Sequence, residues 1–166
     1  MIGNFSRNAQ KMTFALSDRS LARLDGVDGR LAGVVKQAIS LTAIDFGVTE
    51  GLRSVERQEE LVRVGASQTM KSKHLTGHAV DLVAYINGRV SWELSVYDEI
   101  AAAIRAAALR TGLRIVWGGA WSVGNICEWY GSMEAAMQSY IDDRRSKGRR
   151  PFIDAPHFEM MDIPDA

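Results

Sequence analysis

The sequence has almost no cysteine, and this scarcity limits the chemistry available to the chain. Cys127 is the one cysteine among 166 residues, so no intrachain disulfide can form and a zinc site built from several cysteines is excluded. The chain is therefore suited to a reducing compartment. A lone cysteine is more often a small buried side chain than a nucleophile, and we expect that role for Cys127.

The chain also lacks net charge and long apolar segments. Its 20 basic and 20 acidic residues cancel, whereas a general nucleic-acid binder usually shows a basic excess. A local basic cluster at 144–150 is either a solvated helix end or a contact for anionic envelope polymers. No run reaches the ~18–20 apolar residues of a membrane span, and Met1–Arg7 lacks the apolar core of a secretory signal. We expect neither membrane insertion nor a signal peptide.

The hydrophobic fraction, 46%, and the length are ordinary for one globular domain covering residues 1–166. Apolar spacing and capping residues predict a short helix after Ser17, and longer helices at 29–43, 54–64, 93–110 and 132–145. β-Branched segments predict strands at 46–52, 78–86, 89–92, 113–117 and 156–160. The fold class is therefore α+β, a small and largely antiparallel sheet with helices packed on one side. We expect a helical N-terminal part at about 1–45 and an inserted loop and helix at about 122–150.

Only three histidines are present, His74, His78 and His157, and two of them lie beside Asp81 in the sequence. If residues 78–86 form a strand, alternation places His78 and Asp81 on opposite faces. His74 precedes Gly77 on a predicted loop and is free to fold over the face of Asp81. His74 and Asp81 are therefore the plausible pair, and no glutamate lies between the two histidines to make the helical H-E-x-x-H pattern.

A catalytic zinc usually has three protein ligands and an open position for water, whose pKa it lowers to roughly 7. His157 is the remaining histidine, and Asp154, three residues before it, is a candidate general base and acid. Spacing alone leaves two interpretations open. A histidine on a strand is more often a packing or surface residue, and an aspartate before a proline commonly forms a turn.

Two separated motifs resemble those of the zinc peptidase family that includes D-Ala-D-Ala carboxypeptidases and dipeptidases. The motifs are Ser72-x-His74-x-x-Gly77-x-Ala79-x-Asp81 and Asp154-x-x-His157-x-Glu159. The chain is most similar to the phage endolysins of that family, which are L-alanyl-D-glutamate peptidases. Two further segments match the family: Gly51-Leu52-Arg53-Ser54 with Gln58, and Trp117-Gly118-Gly119-Ala120-Trp121. The likeness covers residues 46–121 and 152–160.

The resemblance implies one Zn²⁺ per chain, bound by His74, Asp81 and His157, with Asp154 as the catalytic acid and base. It also implies that Arg53 lies near the substrate carbonyl, where a guanidinium stabilises a developing oxyanion or pairs with a substrate carboxylate. As a surface residue, Arg53 would oppose the dipole at a helix start, which favours the functional role.

Three further residues are expected to contact the substrate in this comparison. Ser72 is either a hydrogen-bonding residue of the site or a solvated loop serine. Gln58 belongs to the first of the two matching segments and is expected to bind substrate. Trp117 either lines the substrate groove, where the two following glycines allow close backbone approach, or packs in the core.

The expected function is a zinc-dependent endopeptidase that cuts the L-alanyl-D-glutamate bond of peptidoglycan and so lyses the bacterial host. One alternative is a D,D-carboxypeptidase or dipeptidase acting on D-Ala-D-Ala. Another is a non-catalytic wall-binding module of the same fold. The partner expected is bacterial peptidoglycan, with no nucleic acid and a monomeric chain. The enzyme would stay in the host cytoplasm until a separate holin opened the membrane, and would then act in the periplasm.

Overall fold

The computed structural model describes residues 13–162, so the first twelve residues of the predicted helical N-terminal part lie outside the description. The helices are α1 (Asp18–Ala22), α2 (Gly29–Leu41), α3 (Val55–Arg63), α4 (Leu94–Thr111) and α5 (Met133–Ser146). The strands are β1 (Asp45–Glu50), β2 (Ala79–Ile86), β3 (Arg89–Ser91), β4 (Ile115–Trp117) and β5 (His157–Met160). The predicted α+β class and the order of elements are confirmed.

Side-chain caps explain where most helices begin. The side chains of Ser17, Asp28, Ser54 and Ser132 each accept a backbone N–H from the first turn of the helix that follows. Each cap pairs a donor that the helix itself leaves free. Gly112 ends α4 in the left-handed conformation, at φ 71°, as expected for a glycine after a long helix.

The five strands form one antiparallel sheet with β2 near its centre. The order is β1-β2-β5-β4, and β3 pairs with the far end of β2 through a turn at Asn87 and Gly88. Both turn residues have positive φ, which suits a two-residue hairpin. In the register of β2 with β5, Asp81 lies directly opposite His157. The sheet therefore joins two chain segments that are 76 residues apart in sequence.

The two faces of β2 have different surroundings, as its alternating pattern predicted. Val80, Leu82 and Ala84 belong to the main hydrophobic core, together with buried side chains of α2 and α4. Asp81 and Tyr85 point to the other face and are only partly buried. The sheet thus covers the helical core with one face and leaves the other available for a polar site.

The segment at 122–150 is partly integrated into this core. Its helix α5 contacts α4 and buries four side chains, those of Met133, Ala136, Met137 and Tyr140. In the loop before α5, Cys127 is half-buried with its sulfur 3.6 Å from the carbonyl oxygen of Leu113, and burial raises the pKa of its thiol. None of the helices within residues 13–162 is long and apolar enough to cross a membrane.

Candidate active site

A polar cleft of about 530 Å³ opens at the face of the sheet where β2 meets β5. Its walls include all three predicted metal ligands, His74, Asp81 and His157, together with Asp154 and Arg53. These residues come from four separate stretches of the chain. The fold therefore assembles one site from the two motifs that the sequence keeps far apart.

His74 lies on a short 3-10 turn (Lys73–Thr76), where the sequence analysis expected only a loop. The hydroxyl of Ser72 accepts the backbone N–H of His74 at the start of this turn, and Gly77 ends it at φ 71°. A side chain at Gly77 would place its Cβ 2.3 Å from the carbonyl oxygen of Gly26. Glycine is required there by both the backbone angle and the close approach, and the turn it closes directs the buried His74 ring into the cleft.

The three candidate ligand atoms form a nearly equilateral triangle. His157 Nδ1 lies 3.0 Å from Asp81 Oδ1, His74 Nε2 lies 3.2 Å from the same oxygen, and the two nitrogens are 3.3 Å apart. A tetrahedral zinc with ligands at about 2.0–2.1 Å has ligand atoms separated by roughly 3.3–3.4 Å. The donor set and its dimensions therefore fit one face of a tetrahedral zinc site, with the fourth position left to the cleft. Within the described part of the chain, this is the cluster of histidine and acidic side chains suited to a metal.

In each of the two histidines, the outer ring nitrogen, the one that points away from the ligand triangle, has its own hydrogen-bond acceptor. His74 Nδ1 lies 2.7 Å from the carbonyl oxygen of Gly51, and His157 Nε2 lies 3.0 Å from Glu159 Oε2. When these outer nitrogens carry the proton and donate it, the inner nitrogens present lone pairs to one point. Such outer contacts are usual for metal-binding histidines, and they fix both the ring orientation and the tautomer.

The side chains of His157 and Asp81 shift each other's pKa. Burial alone would lower the pKa of His157, but hydrogen bonds to Asp81 and Glu159 outweigh it and raise the pKa to about 9. Burial alone would raise the pKa of Asp81, but its hydrogen bonds with His157 and His74 hold that pKa well below the usual range. At neutral pH the pair is therefore an imidazolium beside a carboxylate, and a metal ion must displace the proton.

Asp154 is brought to the cleft by close backbone packing. The backbone N–H of Asp154 donates a hydrogen bond to the Gly118 carbonyl oxygen at 2.9 Å. A Cβ at Gly118 would lie 2.2 Å from the Asp154 carbonyl oxygen, which explains the glycine after Trp117. Burial raises the pKa of the Asp154 carboxyl, although the charge of His157 opposes this. A raised pKa suits a group that takes up and then returns a proton near neutral pH.

Arg53 lies in the cleft wall, but its guanidinium is already engaged. It forms two hydrogen bonds with the Glu50 carboxylate, and its Nη1 donates to Gln58 Oε1 at 2.7 Å. Its Nη2 also lies 3.6 Å from Asp81 Oδ2, and only 8% of the side chain is exposed. The guanidinium thus orients Asp81 from behind, and Glu50 neutralises most of its charge.

Two predicted substrate contacts lie elsewhere. Gln58 is fully buried, and it bonds Arg53 and the loop residues Ser67 and Thr69 rather than facing the cleft. Trp117 is also fully buried, with its indole N–H donating to the Ala155 carbonyl oxygen. Neither side chain faces the cleft, and for Trp117 this is the core-packing alternative; a sequence motif marks residues that build a site as well as those that touch its ligand.

Trp121, which with Trp117 flanks the Gly-Gly pair and could likewise line the groove, does face the cleft, and two glutamates support the site beside it. The Trp121 ring centroid lies 5.5 Å from that of His157, and the indole N–H has no acceptor among residues 13–162. Glu50 and Glu159 complete the hydrogen bonds around Arg53 and His157. Glu159 lies two residues beyond His157, so strand alternation would have placed it on the same face.

Comparison with known proteins agrees with this geometry. The family model described as phage L-alanyl-D-glutamate peptidase matches residues 12–161. The L-alanyl-D-glutamate peptidase of Escherichia phage T5 is 30% identical over 115 residues, which cover 67% of this chain and 84% of that protein. The enzyme of the same name from Listeria phage A118 is 31% identical over 114 residues, 67% of this chain and 40% of the relative.

A solved structure extends the similarity to nearly the whole chain. The L-Ala D-Glu endopeptidase ChiX of Serratia marcescens superposes with a TM-score of 0.67 at 37% sequence identity. The match covers 93% of this chain and 94% of ChiX. It is therefore not confined to the two motifs, and the chain belongs to the phage L-alanyl-D-glutamate peptidase family.

Proposed function

We propose that this protein is a zinc-dependent endopeptidase that hydrolyses the L-alanyl-D-glutamate bond of the peptidoglycan stem peptide. The observation that carries the proposal is the triangle formed by His74, Asp81 and His157, which shares a cleft with the partly buried carboxyl of Asp154. Metal-assisted peptide hydrolysis requires a metal site with an open coordination position and a nearby group that transfers protons, and this cleft offers residues for both. The names of the family and of its relatives support the choice of the scissile bond.

The three ligands would hold one zinc ion per chain through His74 Nε2, Asp81 Oδ1 and His157 Nδ1. When bound, zinc supplies Lewis acidity toward the scissile carbonyl and toward the attacking water. The ligand residues hold their positions through contacts behind them, to the Gly51 carbonyl and the Glu159 carboxylate. These contacts preorganise the two imidazole rings for the metal, so we expect little movement of the ligand side chains when a metal ion binds.

Asp154 is the proposed general base and acid. Its carboxylate accepts a proton from the attacking water and returns it to the departing amine of D-glutamate, so one group serves both halves of the reaction. Burial keeps its pKa raised, which favours the protonated form needed in the second half. Arg53 is proposed to act near the scissile carbonyl chiefly by holding Asp81 in position, because Glu50 and Gln58 already occupy most of its donors.

The substrate's own charge identifies another contact. The D-glutamate residue retains one carboxylate outside the peptide chain, and the lysines among the wall residues of the cleft are Lys71 and Lys73. Lys73 already bonds the Met160 carbonyl oxygen and Asp162. Lys71 also lines the cleft, and its ammonium has no partner within residues 13–162. Lys71 is thus the cation we assign to the free carboxylate, with Ser72 and Trp121 as neighbouring wall residues.

The proposed setting is the wall of a bacterial host. The chain acts as a monomer that waits in the host cytoplasm and reaches the periplasm when a separate holin opens the membrane. The closing steps of a phage cycle require a wall hydrolase of this kind, and the phage relatives support that setting.

Digestion of purified peptidoglycan with mass analysis of the fragments tests the proposed reaction. We expect new amino-terminal D-glutamate ends on the released peptides and free L-alanine carboxyl ends on the glycan. Release of D-alanine alone would instead indicate a D,D-carboxypeptidase. Metal-dependent thermal stabilisation with intact peptidoglycan would indicate a non-catalytic binding module.

A further inference from the structure

A strongly basic turn lies between the end of α5 and the strand that carries the active-site histidine. We call residues 144–150 the basic turn; it contains five cationic side chains, those of Arg144, Arg145, Lys147, Arg149 and Arg150. Including the acidic residues Asp142 and Asp143, the segment 142–150 has a net charge of +3. The chain as a whole has none, so this surface is a local concentration of charge.

Four of these five cations have no carboxylate partner among residues 13–162, and one of the four, Arg144, bonds a backbone carbonyl oxygen instead. Lys147 pairs with Asp143 at 2.6 Å, but no carboxylate of residues 13–162 lies within 4.0 Å of the guanidinium groups of Arg145, Arg149 or Arg150. The same three arginines line an open depression of about 500 Å³. Like charges so close together repel one another, and an anionic ligand would relieve that repulsion.

The backbone of the basic turn is fixed by its own hydrogen bonds. The Arg144 guanidinium donates to the Arg150 carbonyl oxygen through Nε at 3.2 Å and Nη2 at 3.1 Å. Gly148 adopts φ 66° and donates its N–H to the Arg145 carbonyl oxygen. Arg144 therefore shapes the turn, and the depression between the other arginines has a defined backbone.

The basic turn is also linked firmly to the active-site cleft. Phe152, two residues beyond the turn, lines the cleft, and the Tyr140 hydroxyl bonds both its carbonyl oxygen and its N–H, at 3.0 and 3.2 Å. Asp154 follows two residues later. Four residues span at most about 14 Å, so the Cα atoms of Arg150 and of the proposed catalytic aspartate lie within that distance.

We propose that the basic turn binds carboxylates of peptidoglycan stem peptides next to the one being cut, and so retains the enzyme on its polymeric substrate. The inference rests on the proposed function for the identity of the polymer. Each stem peptide contributes at least the free carboxylate of D-glutamate, and neighbouring stems lie within reach of a surface so near the cleft. Attraction of this kind extends over about 10 Å at moderate ionic strength and weakens with salt.

A double substitution, Arg149→Ser with Arg150→Ser, tests this role. The backbone carbonyl used by Arg144 remains, so the turn keeps its shape. The matched control is Arg89→Ser with Arg110→Ser, which removes the same charge from two exposed arginines that also have no carboxylate partner in the described part. Both proteins are compared with the unmodified chain for cosedimentation with purified peptidoglycan and for cleavage of a soluble L-Ala-D-Glu peptide.

We expect the basic-turn variant to bind peptidoglycan about tenfold more weakly at low salt, because two weak surface ion pairs are lost. Its turnover of the soluble peptide should equal that of the unmodified chain, which also shows that it is folded. The difference should vanish in high salt and on peptidoglycan whose carboxyls have been amidated. Lysines at both positions should restore binding.

Several results would overturn the inference. They are an equal loss of binding in the control, unchanged binding in the basic-turn variant, or a difference that persists on amidated peptidoglycan. Preferential binding of the basic turn to anionic phospholipid vesicles would assign it to a membrane instead. Failure of the proposed function is distinguishable, because the unmodified chain would then bind the polymer in a salt-dependent way without cutting it.

Discussion

The hydrogen bond between His157 and Glu159 offers a quantitative test of the proposed metal site. Glu159 Oε2 lies 3.0 Å from His157 Nε2, on the side of the ring opposite Asp81. Substituting Glu159→Gln keeps the size of the side chain and an oxygen able to accept the same N–H. It removes the negative charge, so any effect on metal binding reports the carboxylate itself.

The size of the effect follows from the chemistry of the contact. A hydrogen bond to a charged group contributes about 1.5–3 kcal/mol, and one between neutral groups about 0.5–1.5 kcal/mol. The difference, about 1–1.5 kcal/mol, corresponds to roughly a tenfold change in an equilibrium constant. Loss of such outer contacts typically weakens metal binding by 10–100-fold. We therefore expect the zinc dissociation constant of Glu159→Gln to rise at least about tenfold.

Competition with a chromophoric zinc chelator at fixed pH measures this constant directly. Glu99→Gln is the matched control, since Glu99 is exposed and lies far in sequence from the ligands. An unchanged zinc affinity in Glu159→Gln would refute the argument that the outer carboxylate strengthens the site. An equal loss in both variants would show that the effect is one of overall charge.

Four other outcomes are expected. Because the pKa of His157 is raised to about 9, its hydrogen bonds with Asp81 and Glu159 stabilise the fold fully below about pH 6.5, and this contribution is lost as pH rises through about 9. Urea unfolding with chelator present should show the loss, and a free energy of unfolding that does not fall over this range would contradict it. For the same reason zinc binding should release a proton below pH 9 and tighten as pH rises, as calorimetry in buffers of different ionisation enthalpy would show; pH-independent affinity would contradict this. Gly118→Ala should lower the free energy of unfolding by about 2–3 kcal/mol in the same assay, because the new Cβ meets the Asp154 carbonyl; an unchanged value would show that the backbone yields freely. Lys71→Met should reduce kcat/KM about fivefold or more for a peptide with the free D-glutamate carboxylate but not for its amide, and an equal reduction for both would exclude the assigned contact.

The sequence predicted the parts of the fold that depend on local rules. The caps at Ser54 and Ser132 and the turn at Asn87 and Gly88 can be recognised in the sequence because each is decided by a few adjacent residues. For α2 the sequence offers Asp25 or Asp28 as the cap, and the structure has Asp28. The alternation of β2 correctly separated Asp81 from its neighbour in sequence, His78. That side chain instead lies beside Thr76 and Asp28, away from the cleft.

What escaped prediction depends on contacts between distant segments. The burial of Gln58 is decided by the loop that closes over it, and for Trp117 the sequence leaves groove and core open because neither residue differs locally from one that faces a ligand. Glu50 neutralises Arg53 through a salt bridge between residues only three apart. Glu50 ends a strand and Arg53 precedes a helix, and no local rule predicts that side chains in such a connection pair with each other. The triangle of ligand atoms likewise required the register of β2 with β5, which a sequence pattern leaves open.

The most direct test of the central claim compares zinc content and turnover in Asp154→Asn. In the proposed mechanism the three ligands hold the metal, and Asp154 moves the proton. Asp154→Asn should therefore bind one zinc per chain by elemental analysis yet leave the L-alanyl-D-glutamate bonds of purified peptidoglycan intact, with a loss of at least about a hundredfold in turnover. Near-normal cleavage by the zinc-loaded variant would contradict the account.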